Sequence, residues 1–143
     1  MPSPRLLVIE GNSPATMAEH LAAGGTVASR NYADLLRDLM PDATVDVCYP
    51  ADPTAALPQG EALEGYDGIT ITGSGLHVYH GGPEVTRQVD LVRAALGTGT
   101  PLFGSCWGLQ VITAAAGGAV RRNPQGREIG FGRGIRLTEH GRK

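Results

Sequence analysis

Cysteine is scarce in this 143-residue chain: Cys48 and Cys106 are all there is, so no disulfide framework can stand in for a hydrophobic core. Net charge is scarce too, −2 with histidine neutral, which gives no reason to expect nucleic acid or an acidic membrane as a partner. No apolar run approaches the ~20 residues of a membrane span, and no N-terminal stretch has the charged-then-apolar form of a signal peptide. A reducing cytoplasm is therefore the expected setting, where a free thiol persists. Also missing are an internal repeat, a low-complexity tract and a Walker-type loop, so ATP-driven synthesis within these residues is not expected. The histidines are His20, His77, His80 and His140. His77 and His80 flank Tyr79 with no third ligand nearby, so no metal site is expected.

What is present suits a globular protein. Apolar residues make up 41% and charged residues 18%, and the length predicts one domain spanning 1–143 with a real core. Seven of the twelve basic residues fall from Arg121 onward, which reads as a solvated face, with a docking surface for another domain as the alternative.

Taken in order, Arg5-Leu6-Leu7-Val8-Ile9 is a continuous apolar run ending in Glu10-Gly11-Asn12, the pattern of a strand buried on both faces. The polar, glycine-spotted stretch 12–25 reads as a long loop. Thr26 to Met40 is predicted helical, with Ala28, Tyr32, Leu35, Leu36 and Leu39 on one face and Pro41 as the stop. A second strand is expected at Thr44–Tyr49, with Cys48 as packing. A Pro/Ala/Gly-rich connection then runs to Gly65, with one helical turn around 59–63. Strand three, Gly68–Thr72, ends in Gly73-Ser74-Gly75. A helix from Pro83 to Leu96 carries Val85, Val89, Val92 and Leu96 at helical spacing and closes at Gly97 and Gly99. Pro101-Leu102-Phe103 leads into Gly104-Ser105-Cys106-Trp107-Gly108-Leu109-Gln110, and a small-residue helix follows to Gly117-Gly118. Ala119–Arg122 and Gly134–Leu137 read as two further strands. Strands alternating with helices predict an α/β fold with an open, doubly wound, mostly parallel, flavodoxin-like sheet, cut short at its C-terminus. In such sheets ligands bind beyond the carboxyl ends of the strands, where Gly73-Ser74-Gly75 and Cys106 both fall.

Strand, sharp turn and helix around Cys106 is the order of a nucleophile elbow. Side chains at Gly104 and Gly108 would collide across so tight a turn. The helix N-terminus offers N–H groups and a dipole that favour a thiolate, although the same bracket would also suit a buried, inert cysteine. The full heptad, Gly-x-Cys-x-Gly-x-Gln, resembles the nucleophile motif of class I, triad-type glutamine amidotransferases, and the chain as a whole resembles the amidotransferase of GMP synthetase and its stand-alone relatives. Thr72-Gly73-Ser74-Gly75 resembles the family's oxyanion strand, and Glu128-Ile129-Gly130-Phe131-Gly132 a further family segment.

The resemblance implies that Cys106 is the nucleophile, that the Ser74 and Trp107 N–H groups form the oxyanion hole, and that Gln110 contacts the substrate glutamine. Many members carry Gly-Gly-Pro where this chain has Gly-Ser-Gly, so the choice among Gly73, Ser74 and Gly75 stays open. It implies no cofactor. It does imply ammonia released through a Cys106 thioester, with an ammonia-accepting synthase domain or subunit as partner. One family feature is missing: a His-x-Glu motif, supplying base and orienting carboxylate, occurs nowhere in these residues. Three expectations follow. The chain is the front of a longer hydrolase-type domain, or a catalytically inactive module that binds glutamine or a partner, or one that takes the histidine and glutamate from another chain. From a different class, a cysteine-elbow hydrolase or peptidase is the alternative.

Overall fold

The computed structural model describes residues 2–126, 130–132 and 134–143. Its frame is a parallel sheet of β1 (Arg5–Ile9), β2 (Thr44–Cys48), β3 (Gly68–Ile71) and β4 (Leu102–Gly104), in the order β2-β1-β3-β4. Register pairs Ile9 with Cys48 on one side and with Ile71 on the other, and Ile71 in turn with Gly104. The strand ends therefore lie level, and the chain segments leaving β1, β3 and β4 emerge side by side.

The continuous apolar run of β1 follows from burial on both faces. Leu7 and Ile9 join Ile69, Ile71, Val92, Trp107 and Val111 in the larger core. That core lies under α3 (Glu61–Glu64), α4 (Pro83–Thr98) and α5 (Trp107–Ala115). Val8 faces the other way, with Val45 and Ala33, against α2 (Ala28–Leu39). Transfer of apolar area from water, at about 25 cal/mol per Å², is what holds these layers together.

Four expectations need correction. The stretch 12–25 is not a loop throughout: α1 (Pro14–Ala22) forms there, opened by Ser13, whose Oγ accepts from the Thr16 N–H, and by Pro14 in the first turn. It buries no residue, so it carries no apolar stripe to betray it. Leu35 and Leu39 are exposed, because α2 lies over β1 and β2 with Ser29 and Ala33 against the sheet. Gly97 lies inside α4, which runs on to Thr98 and ends at Gly99 in the left-handed conformation, φ 75°. Finally, 119–122 and the described residues of 134–137 form no strand, since neither segment finds a ladder to pair with. No helix of the described residues is long and apolar enough to cross a membrane.

Candidate active site

Beyond the level strand ends, three turns meet. From β1 comes Glu10-Gly11-Asn12, from β3 Thr72-Gly73-Ser74-Gly75, and from β4 Ser105-Cys106, which opens α5. Ser74, Cys106 and Gln110 face one cavity of about 840 Å³, whose walls also carry His77, Tyr79 and Arg122.

Cys106 is exposed and caps α5 with φ 54° and ψ −109°; no other non-glycine described residue has positive φ. The turn is as tight as the sequence suggests. A Cβ on Gly104 would lie 2.6 Å from the Gly108 carbonyl carbon, and one on Gly108 would lie 2.8 Å from the Ile71 carbonyl oxygen. The glycines thus let α5 start directly against β3 and β4. Trp107, its first residue, has an N–H with no acceptor inside the helix, as first-turn residues must. The Ser74 N–H makes no hydrogen bond among the described residues, while the Ser74 Oγ accepts from the Leu76 N–H at 3.2 Å. No side chain would be crowded at Gly73 or Gly75, so that loop is open around its backbone. Gln110 is half-buried, and its Oε1 is buried without a partner among the described residues.

The histidines divide. His77 stacks on Tyr79 with ring centroids 5.0 Å apart, and His80 meets both rings edge-on, so three aromatic rings form one cluster on the cavity wall. His20 lies exposed on α1 and His140 in the exposed turn His140–Arg142. Among the described residues no group of three or more His, Cys, Asp or Glu side chains is arranged to hold a metal ion. Glu128 and Ile129, part of the segment singled out in the sequence, lie outside the described residues, as do Arg127 and Arg133 of the basic tail.

The two cysteines are set apart by their surroundings. Cys48 is 5% exposed, and burial pushes its thiol up to about 12. At pH 8 such a group holds roughly one thiolate in ten thousand molecules, and the thiolate is the reactive form. Iodoacetamide at pH 8 is therefore expected to label the folded protein once, at Cys106, and the unfolded protein twice. Two labels on the folded chain, counted by mass spectrometry, would contradict the burial of Cys48.

Comparison with known proteins draws this geometry to one family. The family described as glutamine amidotransferase class-I matches residues 28–141. The chain belongs to the class-I glutamine amidotransferases. It is also 37% identical, over 142 residues, to the gamma-glutamyl-L-1-hydroxyisopropylamide hydrolase of a Pseudomonas species. That match covers 96% of this chain and 47% of the relative, so the chain spans about half the relative's length. In this member of the family, the motifs around Gly73 and Cys106 sit on neighbouring strands. The sequence assigned no site role to Glu10, Asn12, Gln88 or Arg122, and it read Thr72 only as part of the glycine loop. Only Glu10 carried a signal, a charged residue directly after a buried strand.

Proposed function

We propose that the chain provides the nucleophile and oxyanion site of a γ-glutamyl amide hydrolase. The Cys106 sulfur attacks the γ-carbonyl carbon, and the carbonyl oxygen becomes an oxyanion between the Ser74 and Trp107 N–H groups. The C–N bond then breaks, the amine leaves with a proton from a general acid, and a γ-glutamyl thioester remains on Cys106. Water releases glutamate and restores the thiol. The general acid and base are the part these 143 residues do not supply in the family's His-x-Glu form. Arg122, on the cavity wall, carries charge complementary to the substrate's α-carboxylate, and Gln110, on the same wall, is a polar side chain for the rest of the glutamyl group.

The observation that carries this reading is the strained Cys106 backbone between two glycines that cannot be replaced without collision, beside an open glycine loop. The hydrolase relative supports N-substituted γ-glutamyl amides as the substrate class, with glutamine and ammonia supply to a synthase as the second reading. A reducing compartment would keep Cys106 free for this chemistry.

The test begins with a γ-glutamyl aryl thioester, whose leaving group needs no protonation. Mass spectrometry is expected to find one γ-glutamyl group on Cys106, formed faster than acetyl transfer from the matching acetyl thioester. Multiple turnover of glutamine or a γ-glutamyl alkanolamide by the 143 residues alone is expected to be slight. No preference for the γ-glutamyl donor would sink the proposal. If glutamine acylated Cys106 faster than the alkanolamide, the second reading would replace the first.

A further inference from the structure

Glu10 is fully buried, yet no cation pairs with it among the described residues. Its carboxylate is instead surrounded by donors. Oε2 accepts from the Ser29 N–H at 2.7 Å, in the first turn of α2. Oε1 accepts from the Asn12 N–H at 3.0 Å and the Asn12 Nδ2 at 2.8 Å, and lies 3.3 Å from the Thr72 Oγ1. A buried carboxylate is costly unless such bonds compensate it, so this network must have every member in place.

Both side chains tied to Glu10 also reach the Gly73 carbonyl. Asn12 Nδ2 lies 3.4 Å from that oxygen; the Thr72 Oγ1, 3.1 Å from it, accepts from the Gly11 N–H at 2.9 Å and shares its single proton between the Gly73 oxygen and Glu10. In a trans peptide the C=O and the following N–H point to opposite sides. Drawing the Gly73 oxygen toward the end of β1 therefore turns the Ser74 N–H away from β1.

The other donor is held from the same place. Gln88 is fully buried on α4, donates from Nε2 to the Gly11 carbonyl at 3.2 Å, and accepts the Trp107 indole N–H at 2.8 Å. Gly11 is itself wedged between the two: a Cβ there would lie 2.6 Å from Trp107 Cδ1 and 3.1 Å from the Gly73 oxygen.

We infer that Glu10-Gly11-Asn12 is a positioning frame that sets both oxyanion donors, through Asn12 and Thr72 for the 73–74 peptide and through Gln88 for Trp107. The inference rests on the proposed function; Glu10, Asn12, Thr72 and Gln88 do not line the cavity. Such a frame matters only to a reaction that develops an oxyanion. Acylation of Cys106 by a γ-glutamyl thioester passes through one; alkylation of the same sulfur by iodoacetamide does not.

The experiment measures both rates on the full 143-residue chain, with Cys48→Ala as the common background. Asn12→Ala and Thr72→Val are expected to slow acylation about tenfold to a hundredfold, a fraction of what deleting a donor costs, with alkylation within about twofold of the parent. Thr72→Ser keeps the hydroxyl and is expected to restore the parental ratio, which also covers the case in which Asn12→Ala fails to fold. Equal slowing of both reactions would reduce the network to a structural role, and an unchanged ratio in both variants would overturn the inference while leaving the proposed function standing. A parent chain that γ-glutamyl thioester does not acylate would sink both.

Discussion

Replacing Cys106 with glycine is expected to make the protein more stable and chemically silent. At φ 54° and ψ −109° the cysteine sits where an L side chain is strained, a cost of about 1–3 kcal/mol. Glycine removes the strain and loses about 0.5–1 kcal/mol to the greater freedom of its unfolded chain. A net gain of about 1 kcal/mol should appear as a higher urea midpoint. Cys106→Ala keeps the Cβ and hence the strain, so it should gain nothing comparable. Both variants lack the nucleophile, so the γ-glutamyl adduct formed at position 106 from the aryl thioester should be lost. Equal stability of the glycine and alanine variants would show that the backbone stores no strain for chemistry. Surviving γ-glutamyl hydrolysis in Cys106→Ala would remove Cys106 from the mechanism.

Gly108→Ala is expected to cost about 3 kcal/mol, at the upper end of what overpacking costs. Its new methyl would lie 2.8 Å from the Ile71 carbonyl oxygen and 3.0 Å from the Ile71 Cβ, and neither can rotate aside. Relief requires α5 to lift from β3, which carries the Trp107 N–H with it, so acylation should weaken along with stability. Two control substitutions have the same chemistry in open surroundings. Gly73→Ala meets nothing within 4 Å and should change stability by less than about 0.5 kcal/mol. Gly97→Ala, inside α4 and equally free, should stabilise by roughly 0.5 kcal/mol because alanine is the better helix former. Urea unfolding of the three variants checks the set; equal costs at Gly73 and Gly108 would refute the close approach of helix and sheet.

Much of the fold was legible because its signals are local. The apolar run of β1 reports burial on two faces, and it held. So did the glycine bracket around Cys106 as a tight turn, since steric crowding at Gly104 and Gly108 follows from strand-to-helix geometry alone. Other readings failed where local pattern and environment part company. The α1 helix was hidden because none of its residues is buried, although Ser13 and Pro14 mark its start. Leu35 and Leu39 looked like core because helical spacing says which residues share a face, not how far the sheet extends beneath it. The segment 119–122 reads as a strand by itself, but no segment of the described residues pairs with it.

What the amino-acid order determined by itself was the four strands of the sheet, the helices α2, α4 and α5, the parallel α/β class and the turn that presents Cys106. What only tertiary structure decided was the surroundings of that turn. Glu10 reads as the polar end of a strand until strand order sets β1 beside β3. It then lies against Thr72, 62 positions away, just as Gln88 reaches Gly11 across 77. Periodicity and turn chemistry act over a few residues. Hydrogen bonds across such separations depend on which segments the packed sheet brings level, and the backbone of the candidate site is held by bonds of that kind.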